Sequence, residues 1–320
     1  MDDDERALFE ETLRRACRSA TGADLDRALD ELGWTEALSV DPRLAVSYLF
    51  EQLGRADATA SALDVVVGSA LGVPTGPATG TVLPALGRTD PPGRMSGDGL
   101  VVGGVASSAL VGATSAWVVA DADSGPTAVE VATADLTLRE VRGVDPRLGL
   151  VEVSGLDIAV TTVSRLEPGD WPHAVALAQL AVGHQLVGVS RAVLELARRH
   201  ALERIQFGQP IADFQAVRHR LADTLVAVEA ADALLDSAWD EGSPAAAASS
   251  KALAGRSAST ARRHGQQVLA GIGFTTEHEL HHYVRRTLVL DQLFGTSLTI
   301  TRELGRQLLV GRQLPPLPPL

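Results

Sequence analysis

The sequence predicts an α+β chain in three parts: a short N-terminal helical region over 1–72, a β domain over 73–168 and a C-terminal four-helix bundle over 169–320. Three observations predict it. Apolar residues recur at steps of three and four before residue 72 and again after residue 169. Between those stretches, Gly and Pro punctuate short Val, Leu and Thr runs, the texture of strands joined by turns. The apolar fraction is 45% but only 4% of residues are aromatic, which suits helices packed closely through small side chains.

In chain order, Leu8, Leu13, Leu25, Leu29 and Leu32 fall at helical steps, and Gly33 with Trp34 marks a stop. Asp41-Pro42 opens a second helix over about 42–54, and a third covers about 57–70. Six strands are expected, at 99–104, 116–120, 128–132, 136–141, 148–153 and 158–163, in a sandwich or small barrel closed by Pro168-Gly169. A long helix follows. Val182, Leu186, Val189, Val193 and Leu196 line its inner face, and Arg191, Glu195, Arg198 and Arg199 its outer one, spaced for Arg191/Glu195 and Glu195/Arg199 ion pairs. Gly208 should stop this helix, and Pro210 should sit in the first turn of the next, over about 210–241. Phe214, Val217, Leu221, Leu225 and Val228 share one face of it. Ser243-Pro244 caps an Ala-rich helix running to Leu269, where Gly271 and Gly273 break it. Thr276 and Glu279 have capping-box spacing for a helix to about Leu293, Gly295 interrupts, and a last helix runs to about Leu309.

Charge and composition exclude several function classes. A net charge of −12 argues against nucleic acid or anionic lipid as the main partner. No run reaches the roughly 18–20 apolar residues of a membrane span, and the acidic start Met1-Asp2-Asp3-Asp4-Glu5 is unlike a signal peptide. The single cysteine, Cys17, leaves no internal disulfide and agrees with a cytoplasmic setting. His278-Glu279-Leu280-His281-His282 lacks metal-ligand spacing, and 281 and 282 should point to different helix faces, so no metal is expected. The tail Pro315-Pro316-Leu317-Pro318-Pro319-Leu320 suits either a proline-helix ligand or a frayed end.

Three ordered blocks then carry a resemblance. Ala201-Leu202-Glu203-Arg204-Ile205-Gln206-Phe207-Gly208-Gln209-Pro210-Ile211 with Phe214-Gln215, then Gln267-Val268-Leu269-Ala270-Gly271-Ile272-Gly273-Phe274, then Phe294-Gly295-Thr296-Ser297 resemble signature blocks of the acyl-CoA dehydrogenase family. Val144-Asp145-Pro146-Arg147-Leu148 resembles the end of that family's β domain. The resemblance implies FAD lying across a subunit interface. Its ADP half would be reached by Arg204, Phe207, Gln215, Gln267 and Gly271, all retained here. Those residue types suit a dinucleotide. A guanidinium pairs a pyrophosphate, a phenyl ring packs on adenine, amides satisfy ribose or phosphate, and glycine lets backbone approach closely.

The chemistry positions depart from the family. Its catalytic glutamate stands in the E-G-T turn, where this chain has Phe294, or on the long helix, where it has Ala178. No catalytic residue is therefore assigned. The remaining titratable groups nearby are His173, His184, Glu195 and Asp291. Ser108 and Leu110 stand where the family's flavin-cradling segment has its tryptophan and threonine, and Trp117 is expected in the domain core. Of four arginine pairs that could seat phosphates, Arg285/Arg286 stands out, between the glycine block and Phe294.

The pattern resembles the short subunit of actinobacterial α2β2 acyl-CoA dehydrogenases of steroid catabolism. That likeness implies an α,β-dehydrogenation of a bulky acyl-CoA, with a longer partner subunit supplying the glutamate and most of the acyl pocket, and electron-transfer flavoprotein as acceptor. A self-sufficient homodimer with an unassigned base, or a flavin-free scaffold of the same fold, are the alternatives.

Overall fold

The structure is a computed structural model that describes residues 3–96, 99–123 and 125–312; the proline-rich stretch 315–320 lies outside them. Five helices open the chain: α1 Asp3–Ser19, α2 Ala23–Glu31, α3 Trp34–Val40, α4 Pro42–Ala56 and α5 Ala62–Ala70. Gly33 does end a segment, with φ of 68°, but Trp34 starts the short α3 instead of closing α2. Its buried indole donates to Ala45 O at 3.0 Å, a tertiary contact with no local signal. Asp41 caps α4, its Oδ1 accepting from Leu44 N, with Pro42 in the first turn as expected. The third helix begins later than its apolar pattern suggests. Asp57 turns left-handed (φ 51°), and residues 57–61 form a loop instead of a first turn.

The middle of the chain forms β1 Thr79–Thr81, β2 Leu83–Pro84, β3 Gly93–Ser96, β4 Gly99–Ser107, β5 Ser115–Asp121, β6 Thr127–Ala132, β7 Thr137–Glu140, β8 Leu150–Ile158 and β9 Thr162–Arg165. They share one sheet ordered β7-β8-β4-β3-β5-β6-β9, with β1 beside β5 and β2 beside β4. β1, β2 and β3 escape the sequence reading because each is short and carries Gly or Pro. The segment expected at 158–163 divides between the end of β8 and the start of β9. Alternation gives the sheet two apolar faces. Ala116, Val118 and Ala120 pack within the sheet's own core, and Trp117 and Val119 face the helices.

The last part holds α6 Asp170–Glu203, α7 Gln215–Glu241, α8 Pro244–Leu269, α9 Leu280–Leu290 and α10 Ser297–Gly311. All five residues of the inner stripe of α6 are buried. α6 and α8 run parallel: a Cβ on Gly265 would touch Val193, while Gln179 and Lys251 both reach the 291–295 turn. Their C-terminal ends therefore lie together. α4 crosses α6 at backbone contact, for a Cβ on Gly188 would sit 2.1 Å from Glu51 O and one on Gly54 2.2 Å from Gln185 O.

Several helix details differ from expectation. Arg191 does not pair along its own helix but reaches Glu51 (2.8 Å) on α4 and Asp232 (2.6 Å) on α7, and Glu195 pairs with Arg198. Leu225 is half exposed while Val228 is buried, so the inner face of α7 is narrower than its apolar pattern. Glu279 precedes α9 without a side-chain cap. The capping box forms instead at Thr296 and Thr299, ahead of α10.

Candidate functional site

The corner after α6 is a hairpin, not a helix-to-helix turn. Arg204 leaves the helix in extended conformation, and β10 Ile205–Gln206 pairs antiparallel with β11 Gln209–Pro210. Phe207 (φ 54°) and Gly208 (φ 82°) are the two turn residues, both left-handed as a type I′ turn requires. Gly208 gives the same local signal for a helix stop and for this turn, which is why the sequence misplaced Pro210. The Phe207 ring stands 93% exposed, edge-on to Phe214 with centroids 6.1 Å apart. It plugs nothing in the bundle.

Arg204 is exposed, and no ion pair engages its guanidinium among the described residues, although Glu203 is adjacent in sequence. Gln215 opens α7, exposed, its amide 3.3 Å from His219 Nε2. Gln267 is exposed on the last turn of α8, and Gly271 follows in a 3-10 turn where an added Cβ would meet nothing within 4 Å. Because α6 and α8 are parallel, all five residues come to one end of the bundle. Arg199, near the end of α6, ties this end together through Glu279 at 3.2 Å. The outcome is an open rim of donors beside an unburied ring.

The positions of the expected base are closed. Phe294 is 1% exposed and Ala178 fully buried, both in the core shared by sheet and bundle. Phe294 O accepts from Gln179 Nε2 at 3.1 Å. Leu110 turns into the sheet's own core, where it would meet any side chain at Gly80, and Ser108 hydrogen-bonds through its N–H to Gly149 O. Trp117, expected in the β domain's own core, packs instead on the face towards the helices. None of the titratable candidates is poised as a base. His184 Nε2 already accepts from Trp239 Nε1 at 3.0 Å, and burial pushes its pKa down to about 4. Asp291 caps Ser297, and His173 is exposed on α6.

Two buried cations were not legible in the sequence. Lys251 donates to Asp291 O at 2.7 Å and to Gly295 O, fixing the turn that carries Phe294. Burial lowers its pKa to about 8. Arg286, singled out above as a phosphate seat, is wholly buried and committed to Asp145 (2.6 Å), Ala58 O (2.9 Å) and Thr59 Oγ1 (3.3 Å). It has no donor to offer a phosphate. The rings of His281 and His282 lie 3.8 Å apart, centroid to centroid, so these neighbours do not point to different faces.

Asp64 on α5 is buried as well. Its Oδ2 accepts from Ser107 Oγ (2.6 Å) and Ser107 N (3.2 Å), tying the helix to the end of β4. Burial pushes its pKa up to about 7, the Ser107 donors oppose this, and Asp26 adds to the rise. An unfolded aspartate titrates near about 3.9. The native state therefore holds an extra proton between pH 4 and 7, and this group's contribution to stability falls as pH rises through that window. Asp64→Asn keeps the acceptor for Ser107 without the charge. Its stability relative to wild type should rise between pH 4 and pH 7, by up to about 4 kcal/mol at about 1.4 kcal/mol per pH unit. Urea melts at several pH values read this directly, and a pH-independent difference would contradict it.

Comparison with known proteins bears on the whole arrangement. Residues 173–309 match the model of the acyl-CoA dehydrogenase C-terminal domain. The fold is matched by a chain of the Tcur3481-Tcur3483 steroid ACAD G363A variant, with TM-score 0.79 and 21% identity over 97% of this chain and 99% of that one. The chain carries the acyl-CoA dehydrogenase C-terminal domain on the acyl-CoA dehydrogenase fold. A chain of the ChsE4-ChsE5 complex from Mycobacterium tuberculosis gives TM-score 0.78 at 22% identity, covering 98% and 97% of the two chains. Among curated proteins, acyl-CoA dehydrogenase IpdE2 of Mycobacterium tuberculosis is 34% identical over 133 residues, 42% of this chain and 42% of IpdE2. The matched region thus spans less than half the length of that relative.

Proposed function

We propose that this chain is the short subunit of a heteromeric, FAD-dependent acyl-CoA dehydrogenase. It grips the ADP half of a flavin whose reacting ring lies on a longer partner subunit. One observation carries the reading: the rim at the end of α6 and α8 is open, and both base positions, Phe294 and Ala178, are sealed in core. The residues fit one half of FAD and not the other. Arg204 has free donors for a pyrophosphate, Phe207 presents a bare ring to adenine, Gln215 and Gln267 offer amides, and Gly271 leaves room for close approach. The ring half finds no cradle, because Leu110 and Trp117 are consumed by packing.

A bound flavin would supply the hydride acceptor for the acyl β-carbon. This chain contributes no proton acceptor: it orients the nucleotide end and closes one side of the shared site. The substrate would be a bulky, steroid-derived acyl-CoA and the acceptor electron-transfer flavoprotein, in an α2β2 assembly. Support comes from the likeness to chains of the Tcur3481-Tcur3483 steroid ACAD and the ChsE4-ChsE5 complex, each named as a pairing of two proteins.

Expression alone and with a longer acyl-CoA dehydrogenase chain tests the reading. Alone, the protein should be colourless and inactive. Together, the two should co-purify, yellow, with dehydrogenase activity that disappears when the partner's glutamate is removed. A yellow, active homodimer of this chain would overturn the proposal, and so would failure of any pairing to bind flavin.

A further inference from the structure

A cavity of about 640 Å³ lies between α2, α3 and α5 on one side and β1 with the turn after β4 on the other. Its size is that of a small-molecule site, roughly 300–1,000 Å³. Leu29, Val65 and Ala109 give it apolar walls. Asp64 supplies a buried carboxyl group. Oδ2 of Asp64 is taken by Ser107, whereas Oδ1 makes no hydrogen bond among the described residues. That oxygen is not sealed in protein either, though the residue is only 6% exposed, so the surface left to it is the cavity that Asp64 lines. Once Asp64 is ionised, above about pH 7, that oxygen faces the apolar cavity with no protein donor among the described residues, a position that a ligand's donor would satisfy.

The rim sets the sign of what can enter. Asp26, Asp30 and Glu36 line the cavity, and Arg27, the one lining cation among the described residues, is drawn off to Asp24 at 3.3 Å. Phosphates and carboxylates are repelled there, so the opening does not suit an acyl-CoA head group. Asp26 also holds Ser61 N through Oδ1, which fixes the start of α5 and with it the position of Asp64.

We propose that this cavity is a second ligand site, for a compact apolar molecule that carries one hydrogen-bond-donating head, hydroxyl or amine, and no negative charge. The head would meet Asp64 Oδ1 and the apolar body would lie against Leu29, Val65 and Ala109. The inference uses none of Arg204, Phe207, Gln215, Gln267 and Gly271, although Ala109 lies in the segment that stands where the family cradles its flavin ring.

Ligand-observed NMR and calorimetry on the full chain test it, with cyclohexylmethanol, cyclohexylmethylamine and cyclohexanecarboxylate as probes. The alcohol and the amine should bind, and the carboxylate at least tenfold more weakly; the ratio of the first two distinguishes a neutral donor from a cationic one. Ala109→Phe should fill the space and abolish binding of all three. Asp64→Asn should fold, as argued above, and turn its amide N–H toward the cavity, weakening alcohol and amine at least tenfold. Absence of binding to wild type at millimolar probe overturns the proposal. So does equal binding of the carboxylate, or binding that survives both substitutions in folded protein.

Discussion

Replacing Arg286 with methionine should destabilise the chain by about 3–5 kcal/mol, the cost of stripping one partner from a buried ionic cluster. The side chain is wholly buried, and its Nε–H donates to Asp145 Oδ2 at 2.6 Å. Nη1 holds Ala58 O, and Nη2 reaches Thr59 Oγ1 while lying 3.3 Å from Asp57 Oδ1, off the line of a hydrogen bond. Three parts of the fold converge on this one cation: the loop between α4 and α5, the loop before β8, and α9 itself. Methionine fills most of the volume, so the loss would be electrostatic. Asp145 would be left without its ion pair, and Asp57, whose pKa burial already raises, would keep only Arg147 at 3.0 Å. Removing both charges, in Arg286→Met with Asp145→Leu, should cost less than Arg286→Met alone, because no orphaned carboxylate remains. Urea titrations of the single and double variants measure this. A single variant within about 1 kcal/mol of wild type would mean that the cluster contributes nothing net.

Arg286 also shows where the sequence stops being informative. Periodicity located the helices that carry their own inner face, α6 above all, because a stripe of Val and Leu at steps of three and four needs no knowledge of the partner. It located the longer strands for the same reason. It failed where an element is made by a distant contact: Trp34 looked like a stop until its indole found Ala45, and Asp57 leaves the helical conformation in a loop that Arg286 and Arg147 hold. Burial of charge is equally invisible. Arg285 and Arg286 are neighbours of one type, yet one is exposed and the other has no surface at all. At the candidate site, the motif blocks identified Arg204, Phe207, Gln215, Gln267 and Gly271, and only the parallel course of α6 and α8 brings them to one end. The Asp64 cavity left no trace in the sequence, since its walls come from five separate elements.

Phe207 offers the test with the largest functional reach. A phenylalanine in left-handed conformation costs of order 1–3 kcal/mol, and here its ring recovers nothing by burial, standing 93% exposed beside Phe214. Glycine would occupy the same turn without strain. Phe207→Gly should therefore stabilise the isolated chain by about 1 kcal/mol or more. In the proposed assembly it should do the reverse to the flavin: if the ring stacks on adenine, losing it costs about 1–3 kcal/mol. Arg204→Ala removes a charged donor worth about 1.5–3 kcal/mol and should leave the fold untouched, since the guanidinium has no partner among the described residues. Combined, the two substitutions should weaken FAD by about two to four orders of magnitude at 1.4 kcal/mol per tenfold, in a complex that still assembles. Thermal melts of the chain and fluorescence titration of FAD into the apo-complex separate the two effects. A strained, exposed aromatic whose removal stabilises the chain and weakens cofactor binding would be there for the ligand. If Phe207→Gly with Arg204→Ala retains full flavin affinity, the rim is not the nucleotide grip.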